Sequence, residues 1–152
     1  MVSPSKRKTR TAQPGKGGKR ERIFSASFPS SPTAIEPTVA HVLRSVSHQA
    51  HMDGRHGEIE LALREALANA ILHGNGGNRR KRVRVECYRV ADGLVLVVRD
   101  SGKGFDPDKV EDPTRPENLL RDRGRGIFLI RHFMDEVQFA RGGREIRMRK
   151  NL

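Results

Sequence analysis

The chain predicts an α+β fold: a two-layer α/β sandwich whose mixed, mostly antiparallel sheet carries its helices on one face. Two pairs of alternating segments, residues 81–99 and 136–149, read as hairpins, and three stretches place apolar residues at helical spacing. The order strand, helix, helix, hairpin, loop, helix, hairpin then leaves each apolar face one layer to pack on. A chain of 152 residues suits one such domain with an appendage.

The appendage is residues 1–22, which carry eight of the 30 Lys and Arg and one of the 18 Asp and Glu, +7 of the total net charge of +12. Rich in Ser, Thr, Pro and Gly, this segment has too little apolar surface to fold and reads as a basic disordered arm. Counterion release would favour its contact with nucleic acid or an acidic partner. No aromatic side chain is interleaved to stack on bases, so nucleic-acid contact by the arm is not expected and a solubilising tail is the plainer reading.

The folded domain is expected over residues 23–152. Residues 23–28 alternate as a half-buried strand, and Pro29 ends it. Ser30 or Ser31 offers a cap to a helix with Pro32 in its first turn, running to about residue 52. After Asp53-Gly54, Ile59, Leu63, Ala66, Leu67, Ala70 and Ile71 draw a second helical stripe that Gly74, Gly76 and Gly77 stop. Residues 81–90 and 94–99 alternate about Ala91-Asp92-Gly93, a hairpin. Between residues 105 and 123 periodicity fails among prolines and charges, the pattern of a lid or a disordered loop. Ile127, Phe128, Ile130, Phe133 and Met134 restore a helix, and residues 136–140 and 145–149 about Arg141-Gly142-Gly143 close the chain as a last hairpin.

No apolar run approaches the roughly 18–20 residues of a membrane span, and the basic N-terminus lacks the apolar core of a signal peptide, so a cytoplasmic protein is expected. The single cysteine, Cys87, lies in a strand pattern and reads as packing. His41, His48, His51, His56 and His132 have no metal-binding spacing, and His73 reads as a capping or packing residue.

Three short segments carry chemistry. Glu65 and Asn69 stand four apart on one helix, so a carboxylate and a carboxamide share a stripe and could meet a metal and a phosphate. Asp100-Ser101-Gly102-Lys103-Gly104 follows an apolar strand and replaces side chains with glycine where a chain turns and a ligand comes close. Gly124-Arg125-Gly126 opens the helical stretch 127–134, its free N–H groups available to phosphate oxygens. Singly, each segment also describes a solvated helix face or a plain turn; together they describe a nucleotide site.

At these residues the chain resembles the GHKL ATPases. Residues 65–75 (Glu-Ala-Leu-Ala-Asn-Ala-Ile-Leu-His-Gly-Asn) are similar to the N box of that superfamily, residues 100–105 to its first glycine box and residues 123–130 to its second. The whole string 65–75 and the ending 126–137 resemble the anti-sigma factor serine kinases within it, over about residues 23–150. A histidine kinase would also need a phospho-accepting helical hairpin before its ATP domain, for which there is no room.

The resemblance implies an ATP-binding kinase domain that phosphorylates a serine or threonine of a small antagonist protein and holds a sigma factor, with a homodimer as a further partner state. It implies that Asn69 coordinates Mg²⁺ and that Glu65 orients or deprotonates the attacking hydroxyl. Asp100 would accept a hydrogen bond from the adenine amino group. Gly102 and Gly104 would admit purine and sugar, and Gly124 and Gly126 the phosphates, with Arg123 and Arg125 reaching phosphate charge or facing solvent. One departure stands out: many members place a small hydroxyl residue after a glycine in the last hairpin, and here Arg144 follows Gly143. A module that binds ATP only to sequester a partner would keep the same boxes.

Overall fold

The computed structural model describes residues 18–49, 52, 54–106 and 122–152. Strand β1 (Glu21–Pro29) and a short 3-10 turn (Pro32–Ala34) lead into helices α1 (Ile35–Gln49) and α2 (His56–Ala68). A wider helical turn (Asn69–Gly74) extends α2 before the hairpin of β2 (Arg82–Val90) and β3 (Gly93–Arg99). Helix α3 (Asp122–Phe133) and the hairpin of β4 (Glu136–Ala140) and β5 (Glu145–Asn151) complete the chain. The strands lie in the order β1-β2-β3-β5-β4, and every pair is antiparallel, so the mixed sheet allowed by the sequence is antiparallel throughout.

Alternation decides which face is covered. Val83, Val85 and Cys87 on β2, Leu94, Leu96 and Val98 on β3, and Ile146 and Met148 on β5 are buried in one core. That core also holds Val39, Val42 and Val46 of α1, Ile59, Leu63 and Leu67 of α2, and Ile130 of α3. Burial pushes the Cys87 thiol up to about 12, so it stays protonated and serves as packing.

Several boundaries differ from those the sequence predicts. β1 begins at Glu21, inside the segment expected to be the arm, because Glu21 and Arg22 pair with Arg89 and Tyr88 across a register shift before Phe24. Residues 1–17 of that arm, and residues 107–121 of the expected lid, lie outside the described residues. Neither serine caps the first helix: Ser31 Oγ meets Thr33 Oγ1 at 2.9 Å, and Ser30 is buried with its N–H donating to the Lys81 carbonyl at 2.9 Å. β5 continues to Asn151 although Lys150 falls on its buried row. The lysine stem lies in the core layer while Nζ donates to the Phe133 carbonyl at 2.6 Å and pairs with Glu58. Helix α3 starts five residues before residue 127, so Gly124 and Gly126 lie within its first turns and do not precede it.

The helix-free face is mostly polar around Val95 and Val97, and among the described residues its fully covered carboxylate is Glu145. Burial alone would raise its pKa, but Arg99 (Nε at 2.9 Å) and Arg147 (Nη2 at 2.9 Å) outweigh burial and hold the carboxyl below its ordinary 4.5. Glu145 therefore contributes stability in full above its unfolded value, and that contribution disappears as pH falls through the lowered folded value. Denaturant unfolding followed from about pH 5 to pH 3 should show a steep loss of stability, and Glu145→Gln should flatten that limb. Parallel acid limbs in the two proteins would remove Glu145 as a contributor.

Candidate functional site

Glu65 lies in the last turn of α2, and Asn69 is the first residue of the wider turn with helical backbone (φ −61°, ψ −44°), so their four-residue spacing still puts them on one stripe. Both are half-buried. The wider turn then closes on an N–H of Asn75 donating to the Ala70 carbonyl at 2.8 Å, a bond five residues long. Such insertions re-aim a helix end and are frequent at functional sites.

Across from this stripe runs α3. A Cβ added at Gly126 would come within 2.9 Å of Glu65 Oε2, 3.2 Å of Asn69 Nδ2 and 3.4 Å of Asn69 Oδ1. A glycine inside a helix costs about 1 kcal/mol relative to alanine. Here the missing side chain lets α3 approach the two polar groups of α2. Gly124 is likewise buried and Arg125 exposed, while the side chain of Arg123 lies outside the described residues.

At its C-terminal end β3 delivers Asp100 to a turn that packs against the wider turn of α2. Gly102 N–H donates to Asp100 Oδ1 at 2.8 Å, and Ser101 N–H donates to Asn75 Oδ1 at 2.9 Å. Asn75, 2 % exposed, spends its other amide group on the Arg82 carbonyl at 3.1 Å. A Cβ on Gly102 would overlap the Gly74 carbonyl oxygen, and one on Gly104 the Gly142 carbonyl oxygen. The close approach that Gly102 and Gly104 permit is thus to the protein's own backbone, which zips the first glycine segment between α2 and the β4–β5 turn.

Together these elements line a small cleft whose polar groups are Asn69, Asp100 and Arg144, with Ala66, Ala70, Val98, Phe105, Phe139, Gly143 and Ile146 around them. An apolar slot with a few convergent polar groups is the usual form of a small-molecule site. Phe105 and Phe139 meet edge to face, centroids 5.3 Å apart, at one wall. The structure therefore brings Asn69 and Asp100 onto one cleft, with Glu65 and Gly126 one helical turn along. Sequence reasoning gave Asn75, Phe105 and Phe139 no role. The signals for Asn75 are its place at the end of the string 65–75 and a carboxamide directly after a helix-stopping glycine.

No group of three His, Cys, Asp or Glu side chains converges among the described residues. The donors at hand, one carboxamide and one carboxylate, fit a hard cation that keeps most of its ligands as water and phosphate oxygen. Among the described residues no helix is long and apolar enough to cross a membrane.

Comparison with known proteins points the same way. Residues 28–150 match the model of the histidine kinase-like ATPase domain. The chain is 34 % identical over 85 residues to an anti-sigma F factor of Oceanobacillus iheyensis, covering 53 % of this chain and 57 % of the relative. It is 29 % identical over 87 residues to the serine-protein kinase RsbW of the same organism, covering 53 % and 55 %. An anti-sigma F factor of Bacillus thuringiensis is 36 % identical over 85 residues, covering 53 % and 57 %. The chain thus spans about half the length of the curated relatives it matches. Since the family match takes in the helices, the cleft and the strands from β2 to β5 up to residue 150, with only the last two residues of β1, the chain belongs to the histidine kinase-like ATPase domain family.

Proposed function

We propose that this protein binds Mg-ATP in the cleft and transfers the γ-phosphoryl group to a serine or threonine of a small antagonist protein, and that it holds a sigma factor. The observation that carries this reading is the seating of Gly126 on Glu65 and Asn69, which joins the second glycine segment to the acid–amide pair. The relatives named serine-protein kinase and anti-sigma F factor support the choice of substrate and partners. A sigma factor acts with cytoplasmic RNA polymerase, so the reading places the chain in the cytoplasm.

Each residue has a role in this chemistry. Asp100, held by Gly102 N–H, accepts from the purine amino group, and Val98, Ile146 and Phe139 supply the apolar walls of the cleft. Asn69 Oδ1 would hold Mg²⁺, which when bound neutralises charge on the phosphates. The first turn of α3, with no side chain at Gly124, offers its unbonded backbone N–H groups to phosphate oxygens. The bond from the acceptor oxygen to the γ-phosphorus forms as the bond to the β-phosphate oxygen breaks, ADP leaving with that electron pair. Glu65 takes the hydroxyl proton.

Calorimetry checks the binding half. Asn69→Ala should weaken ATP binding by about tenfold or more with Mg²⁺ present and have little effect in its absence, since an alkyl side chain offers the cation no oxygen. Equal affinity in the presence of Mg²⁺ would exclude Asn69 as the ligand. For the transfer half, label from [γ-³²P]ATP should appear on a hydroxyl of a co-encoded antagonist. A wild type that binds both and never labels it is a sequestering module.

A further inference from the structure

The side chain of Arg144 makes three bonds that the roles above do not use. Its Nε donates to the Gly102 carbonyl at 2.6 Å, Nη2 to the Lys103 carbonyl at 3.1 Å and Nη1 to the Arg141 carbonyl at 3.2 Å. One guanidinium thus ties two turns that are about forty residues apart in sequence. Guanidinium has donors only and a carbonyl accepts only, so the planar fork satisfies both turns at once; an ammonium group, a point charge, has no such geometry. The backbone reinforces the junction, Asp100 N–H donating to the Arg144 carbonyl and Phe105 N–H to the Gly142 carbonyl, each at 2.9 Å.

We propose that Arg144 is a positioning residue for base selection: by holding the Gly102 carbonyl it fixes the N–H of the same residue, and so the Asp100 carboxylate that this N–H grips. The proposal rests on the reading of the cleft as an ATP site. Gly102 cannot move toward α2, because its Cα already abuts the Gly74 carbonyl. Arg144 prevents the opposite motion, away from α2. Asn75 pins Ser101 between them. Asp100 therefore meets a purine with its acceptor oxygen already aimed, and the site discriminates an amino group from a carbonyl at the purine 6-position without first ordering the turn. A small hydroxyl side chain at this place is too short to span both turns as the guanidinium does.

Wild type, Arg144→Ala and Arg144→Lys separate the possibilities through two measurements: amide hydrogen exchange of residues 101–105 without nucleotide, and ATP and GTP affinity by competition. In Arg144→Ala the exchange should quicken, and the preference for ATP over GTP should fall by about tenfold, the worth of one charged hydrogen bond. General destabilisation would weaken both nucleotides alike and leave their ratio unchanged. Arg144→Lys should rescue neither the exchange nor the ratio. Full rescue by lysine would show that charge alone matters and would overturn the proposal. So would a nucleotide-binding wild type whose exchange and ratio match those of Arg144→Ala. A wild type that binds neither nucleotide would overturn the ATP reading, and Arg144's part in base selection with it, whatever the exchange shows.

Discussion

Glu65→Gln is expected to slow phosphoryl transfer to a cognate antagonist by about 10²- to 10⁴-fold, the usual worth of a general base, while Mg-ATP binding stays near the wild-type value. The substitution keeps the length and planarity of the side chain, so the contact that Gly126 makes with this position survives. What it removes is the capacity to take a proton. Because Glu65 sits one helical turn before Asn69 and does not line the cleft that holds Asp100, the binding and chemical steps are separable in this variant. Single-turnover transfer from labelled ATP, with affinity measured by calorimetry on the same samples, reads both. Loss of ATP affinity in parallel with rate would make Glu65 part of the nucleotide site, and an unchanged rate would exclude it as the base. An unlabelled antagonist with wild-type protein would favour sequestration.

Much of this site could be read from the sequence because its information is local. A four-residue spacing on a helix, a glycine run after an apolar strand and alternation about Ala91-Asp92-Gly93 each depend on near neighbours. The strand order β3-β5-β4 does not, and nothing in the alternation of β5 says that it inserts between β3 and β4. Lys150 ended the expected strand early because a charged residue on the apolar row breaks the pattern, and only its distant partners Glu58 and the Phe133 carbonyl make burial tolerable. The start of α3 was misplaced because Gly124 and Gly126 look like loop residues. The smallness of Gly126 answers to Glu65 and Asn69, some sixty residues away. Asn75 stands out in the sequence only as the end of residues 65–75 and Arg144 only as a departure after Gly143; what each holds is hidden, since each bonds to backbone distant in sequence.

Gly102→Ala is expected to abolish measurable ATP binding and to destabilise the fold by about 1–3 kcal/mol, the range for an overpacked interior position. The glycine is buried, and an added Cβ would overlap the Gly74 carbonyl oxygen. Backbone cannot rotate aside as a side chain does. Nor can Gly74 retreat, because its own Cα lies against the Asp100 carboxylate. The turn must therefore lift off the end of α2, breaking the bond from Ser101 N–H to Asn75 and carrying Gly102 and the Asp100 carboxylate it grips out of place. Gly57→Ala provides the control: a Cβ there meets nothing within 4 Å, and in the first turn of α2 alanine should be neutral or stabilising by about 0.5–1 kcal/mol. Denaturant midpoints and ATP calorimetry on the two variants form the test. Should Gly102→Ala keep both stability and affinity, contact with the Gly74 carbonyl is not what holds Asp100 in place, and the adenine-side geometry derived from it falls.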